Sequence, residues 1–229
     1  MSISILTDFL PIEVEIEGVR YPINWDFRTS ILFEQLMLNN NISEKEKSDE
    51  ALQLYYGYEI DTIKYINNNN INQFVEEMLL FYKCGKEIIS TNEDSEKSEN
   101  SSKNEIIYSF EHDDFYIYSA FMHDYHIDLQ DIEGLHWWKF KALFNSLSSD
   151  CKFIKILEYR SIDLSEIQDK QQKNFYRKMK KLYALPQSLE EKEKQALITE
   201  MLLKGEDPGE LLRNSYVLYY NIIIGGSIA

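Results

Sequence analysis

Four histidines, two cysteines and one run of cations are the residues of this 229-residue chain whose types and spacing bear on chemistry. His123 and His126 stand three apart, so on a helix they share a face, and His112 lies nearby beside Asp113 and Asp114. Two histidines at that spacing can hold one side of a zinc ion. A zinc site needs three or four ligands, and neither a matching second set nor the His-Glu-x-x-His order is present. They read as partly exposed polar positions, and no metal is expected. Cys84, Cys151 and the serines offer nucleophiles, and His136 a base. No strand-turn-helix elbow surrounds any serine, and no glycine-rich loop is available to cradle a phosphate. With 39 Asp and Glu residues, carboxylate pairs carry no signal without geometry. No catalytic residue and no cofactor is assigned, and the chain reads as a non-enzyme.

The cations are more pointed. Lys170, Lys173, Arg177, Lys180 and Lys181 recur at i, i+3, i+7, i+10 and i+11, which lines one helical face, with Lys178 close by. No acidic residue falls between Lys170 and Lys181. Phe175, Met179 and Leu182 occupy the opposite face and read as its packed side. Two readings of the stripe stay open: a solvated basic face on a core-packed helix, or a docking stripe for an acidic surface on this chain or a sister subunit. The second candidate is the ending, where Tyr216, Tyr219 and Tyr220 lie in a nearly unbroken apolar run up to Ile224. It is too short to span a bilayer, and reads either as a buried last element or as an adhesive segment.

The elements that must position these residues follow from composition and period. A formal net charge of −15 repels nucleic acid and anionic lipid over most of the surface, so neither is an expected partner. Eight glycines and four prolines are too few for a turn-dense β-sandwich. Two isolated cysteines make neither a disulfide framework nor a zinc cluster, and both read as reduced core residues in helical, apolar contexts. The start, Met1-Ser2-Ile3, lacks a basic then apolar export pattern, so a cytoplasmic location is expected.

Val14 and Ile16 alternate with Glu13, Glu15 and Glu17, Gly18 supplies a turn, and Val19, Tyr21 and Ile23 continue the alternation: a β-hairpin over 12–23 that ends near Pro22. Asn24 or Asp26 then caps a helix whose apolar positions are Phe27, Ile31, Leu32, Leu36 and Leu38. Ser43 and Glu46 make a capping box for a second helix. A third runs from about Ile71 to Lys83, with Gly85 as its stop. Residues 91–103 hold only Asn, Ser, Thr, Glu, Asp and Lys and read as a mobile linker. Beyond it, helices are expected after Asp113 or Asp114, over Leu135 to Leu147, after Asp150, and from a capping box at Ser165 and Gln168 to about Leu185, where Pro186 stops the helix. Ser188 to Glu191 and Asp207 to Glu210 repeat the capping signature. The fold class is therefore mainly α, an N-terminal β-hairpin followed by a multi-helix bundle. It divides into a hairpin-plus-helices part over 1–86, an acidic polar linker over 87–105, a helical domain over 106–205 and an apolar ending over 206–229.

Several stretches resemble one family in order along the chain: Tyr21-Pro22-Ile23-Asn24 with Asp26-Phe27-Arg28, Phe81-Tyr82-Lys83-Cys84-Gly85, Gly134-Leu135-His136-Trp137-Trp138-Lys139-Phe140 through Phe144, Tyr159-Arg160-Ser161-Ile162-Asp163-Leu164, and Phe175 through Pro186. The resemblance is to the "gene product fifteen" family of tailed phages and prophages of Gram-positive bacteria. It implies a gene of the tail module and a role in tail morphogenesis in the host cytoplasm, as a chaperone binding the tape-measure protein and other tail proteins. The alternative it leaves is a structural adaptor or connector of the mature tail. The family carries no catalytic residues to transfer. Self-association is expected of such a chaperone. The apolar ending departs from the acidic tail expected of the family.

Overall fold

The first element is a hairpin because its turn suits two strands twisting together. In the computed structural model, which describes residues 3–57, 66, 70–85 and 107–186, β1 (Glu13–Ile16) pairs antiparallel with β2 (Val19–Pro22), Val14 opposite Tyr21 and Ile16 opposite Val19. Both turn residues, Glu17 and Gly18, lie at positive φ (52° and 78°), the combination of a type I′ turn. Val14, Ile16 and Tyr21 point inward, and Glu13, Glu15 and Glu17 face water.

Seven helices follow among the described residues. They are α1 (Phe27–Leu38), α2 (Glu44–Tyr56), α3 (Ile71–Tyr82), α4 (Asp114–Tyr125), α5 (Trp137–Asn145), α6 (Lys152–Ser161) and α7 (Lys170–Leu182). The mainly helical class with an N-terminal hairpin is thus what the chain adopts. The Ser43–Glu46 capping box forms in both directions: Ser43 Oγ accepts from the Glu46 N–H and Glu46 Oε2 accepts from the Ser43 N–H. Asp26, not Asn24, caps α1, its Oδ1 accepting from the Arg28 N–H at 3.0 Å.

Other helix starts differ from the sequence reading. Asp113 stands at the head of α4 without capping it, because its carboxylate is drawn into an ion pair with Arg160. Cys151, not Asp150, precedes α6. Asp169 rather than the Ser165/Gln168 pair caps α7, accepting from the Gln172 N–H at 2.7 Å, and α7 ends at Leu182, not Leu185. α5 starts at Trp137, two residues later than Leu135, with His136 as its cap. Neither cysteine lies inside a helix: Cys84 sits at φ 59° in the turn after α3, and Cys151 is buried at the start of α6. The capping signatures at 188–191 and 207–210, the linker core at 91–103 and the apolar ending all lie outside the described residues.

One core joins the two sides of the 86–106 stretch. The described residues up to Tyr183 form a single compact unit. α1 packs on α2 and α5, α2 on α3, α3 on β1, α4 on α6, and α6 on α7. The join is made by two indoles. Trp137 Nε1 donates to the Tyr82 carbonyl and Trp138 Nε1 to the Phe81 carbonyl, each at 2.8 Å. They cap carbonyls at the end of α3, the Phe81 carbonyl also accepting the Cys84 N–H at 2.9 Å. Gly85 lies against the same ring: a Cβ there would come within 2.9 Å of Trp138 Cη2, and its φ of 69° already disfavours a side chain. Around Trp137, the rings of Tyr82, Phe140, Phe27 and Phe121 stack in succession at centroid distances of 4.8 to 5.7 Å.

The starts of α1 and α5 lock each other. Phe27 N–H donates to the Leu135 carbonyl (2.9 Å) and Trp137 N–H to the Trp25 carbonyl (2.8 Å), so Asp26 and His136 face one another across an antiparallel bridge. Each caps its own helix by accepting from the N–H two residues on. Because His136 Nδ1 accepts from Trp138, its proton sits on Nε2, which donates to the Pro11 carbonyl at 3.0 Å. Burial pushes the His136 pKa down, in keeping with a neutral ring.

Candidate partner surface

The cationic helix α7 is attached along one seam and open elsewhere. Aromatic residues dominate the seam. Tyr159 on α6 meets Phe175, Tyr176 and Tyr183, with centroids 6.2, 6.2 and 5.8 Å away. Lys152 lies over the Tyr116 ring at 5.0 Å and the Tyr183 ring at 6.0 Å. Below the seam, Arg160 anchors the end of α7: its Nε donates to the Tyr183 carbonyl (2.6 Å) and its Nη1 to the Ile107 carbonyl (2.9 Å). Its two terminal nitrogens also grip the Asp113 carboxylate at 2.6 and 2.8 Å, and Asp113 accepts the Ser109 N–H at 3.0 Å. That bidentate pair, buried on both sides, therefore ties α4, α6, the 107–109 strap and the end of α7 together.

The five stripe residues do not share one environment. Lys170, Arg177 and Lys181 are exposed, as is Lys178, whereas Lys173 and Lys180 are half-buried at the edge of the seam. Lys180 Nζ donates to the Ile162 carbonyl at 3.3 Å. Asp163, whose carboxyl the Ser165 backbone N–H and hydroxyl hold below its usual range, is lowered further by the charges of Lys180 and Lys173. Lys180 is thus engaged with the fold at Ile162, and Lys170, Arg177, Lys178 and Lys181 stand exposed. Arg177 Nη1 donates to Asn174 Oδ1, one turn back on the same helix, at 2.7 Å.

The opposite face is a correction. Phe175 and Leu182 do not pack into a core: they are 48% and 66% exposed, and no residue of α7 is buried. Tyr176 and Tyr183, seven apart, are half-buried against Tyr159, Met179 is half-buried too, and Phe175 reaches Tyr159 from the rim of the seam. α7 thus presents exposed cations and exposed large apolar side chains together, the composition of a partner surface. Tyr216, Tyr219 and Tyr220 lie outside the described residues.

The remaining chemistry-bearing groups are occupied structurally. His123 is exposed beside Asp124 (2.7 Å), and His126 ends α4 in the left-handed conformation. Among the described residues no group of three or more His, Cys, Asp or Glu could hold a metal ion. Glu34 is a half-buried carboxylate between Tyr82 Oη (2.5 Å), Tyr108 Oη (3.5 Å) and Lys141 Nζ (3.8 Å), and desolvation raises its pKa. No helix among the described residues is long and apolar enough to cross a membrane.

The sequence profile of the Bacteriophage Gp15 protein family matches residues 6–185. The chain belongs to that family. The match takes in the hairpin, all seven helices and both indoles of α5, and ends at the Tyr183–Leu185 stretch where α7 is anchored. Membership makes it a phage protein of the structural or morphogenetic kind. No curated protein and no solved structure matches the chain.

Proposed function

We propose that this Gp15-family protein is a non-enzymatic tail-assembly chaperone that binds and solubilises the tape-measure protein in the host cytoplasm. Family membership carries the reading. The surface of α7 supports it: a long helical client needs apolar side chains to cover its own, and an exterior charged enough to stay in solution. Phe175 and Leu182 supply the first on α7, and the net charge of −15 supplies the second over the molecule as a whole.

Co-expression tests the reading. The tape-measure protein produced with this chain should shift from the pellet to the soluble fraction and co-purify with it. Purified virions should contain at most traces of the chain by mass spectrometry. Presence at a fixed copy number per virion, with no effect on tape-measure solubility, would instead establish a structural adaptor or connector of the mature tail.

A further inference from the structure

The exposed surface carries a second patch, at the other end of the sequence. Residues Ser4 to Asp8 close on themselves, with Asp8 Oδ2 accepting the Ser4 N–H at 2.8 Å and Asp8 N–H donating to the Ser4 carbonyl at 2.9 Å. The chain is pinned just beyond, where the Pro11 carbonyl accepts from His136 Nε2. This short knot holds Leu6 90% and Phe9 102% exposed, followed by Ile12 and Val19, each more than half exposed. Single exposed apolar residues are ordinary, but four large ones within the first nineteen residues, tethered at Pro11, are a docking feature. Val19 pairs with Ile16 and so shares the face of Val14 and Tyr21, while Glu13 and Glu15 stand exposed on the other face, with Arg20 opposite Glu15, and Asp8 and Glu17 are exposed beside the two strands.

The two patches are complements. The N-terminal segment offers exposed apolar residues and exposed carboxylates, and α7 offers exposed apolar residues and exposed cations. α7 rests on α6 and the hairpin on α3, and among the described residues no hydrogen bond or ion pair joins them. We propose that the acidic N-terminal hairpin of one copy docks on the exposed cations and the Phe175/Leu182 edge of α7 in a second copy. The charge match selects that occupant: a carboxylate-rich chain carries its densest run of cations on α7, and its own hairpin supplies the opposite charge with apolar residues at hand. Such a contact uses different surfaces on the two partners, so it is heterologous and propagates head to tail, into a ring if the rotation closes and a filament if it does not. The inference stands on surface chemistry alone and does not depend on the tape-measure reading.

Charge reversal on the full chain tests it, with sedimentation velocity over a range of concentrations at low and high salt. One variant carries Arg177→Glu and Lys178→Glu, and the other Glu13→Lys and Glu17→Lys. All four side chains are exposed, so far-UV circular dichroism should match wild type. Wild type should self-associate with concentration and less so in high salt, and each variant alone should associate about tenfold more weakly or worse at low salt. An equimolar mixture of the two variants should recover association, because each now presents what the other lacks. A wild-type chain that stays monomeric, variants that associate as wild type does, or a mixture that stays apart overturns the proposal. Phe9→Ser and Leu182→Ser provide a charge-neutral pair: each should weaken association at high salt too, and undiminished association there by both would count equally against the contact.

Discussion

Removing Asp113 should be among the most damaging single changes available in this fold. Its carboxylate is almost wholly enclosed, and Arg160 is about one-tenth exposed. Asp113→Ala leaves the guanidinium with two carbonyl acceptors, at Tyr183 and Ile107, and no counter-charge, and leaves the Ser109 N–H without its acceptor. Losing one side of a buried pair typically costs about 3–5 kcal/mol. Out of a total stability of about 5–15 kcal/mol, that is a large share. Asp113→Asn keeps an acceptor for Ser109 and one for Arg160 and should cost about 2 kcal/mol. The double variant Asp113→Ala/Arg160→Met no longer buries a lone charge, so it should be more stable than the sum of the two single variants implies. Urea unfolding followed by circular dichroism measures wild type, Asp113→Ala, Asp113→Asn, Arg160→Met and the double variant, with ΔG taken from midpoint and slope. Loss below about 1 kcal/mol for Asp113→Ala, or strict additivity in the double variant, would refute the clasp as an energetic element.

Three further outcomes follow from the same structure. His136 must be neutral for its Nδ1 to cap α5, and burial lowers its pKa below 6.5; the unfolded chain therefore binds the proton first, and stability should be full above 6.5 and fall as pH drops from there through the lowered value. Unfolding at pH 7.5 and 5 should show that slope, and His136→Asn, which can cap without titrating, should flatten it. Gly18→Ala meets open space and costs only the positive φ, about 1 kcal/mol, whereas Gly85→Ala adds a collision with Trp138 and should cost about 2 kcal/mol or more in the same urea assay. Phe175→Ser, on a half-exposed side chain at the rim of the Tyr159 seam, should change stability by about 1 kcal/mol or less while reducing capture of the tape-measure protein.

The parts legible in the sequence are those decided by neighbours a few positions apart. The hairpin over Glu13–Pro22 follows from alternation and from the positive φ that Gly18 accepts. The Ser43–Glu46 box needs only residues three apart, and the periods over Ile71–Tyr82 and Trp137–Asn145 announce their helices. The stop after α3 and the cationic run on α7 belong to the same class. Where several polar residues could each serve as a cap, as Ser165 against Asp169, pattern alone chose the wrong start; at α6 the cap position falls one residue later than Asp150, on Cys151, which makes no side-chain cap bond.

What only the tertiary structure decided is which face of each element is covered and which polar groups meet. On α1, Leu32 and Leu38 look outward while Thr29 and Ser30 are buried, because Ser30 Oγ pairs with Tyr55 Oη at 2.8 Å on α2. Asp113 abandons the cap its position offers for an arginine 47 residues away. Trp137 and Trp138 reach back more than fifty residues to close α3. On α7, Phe175 and Leu182, which a periodic pattern assigns to a core, remain largely in water while Met179 is half-buried, because α6 meets the helix along the narrow seam at Tyr159. Hydrophobic period reports that a face is apolar; what lies against it is set by packing between distant segments, and that difference left the apolar face of α7 exposed.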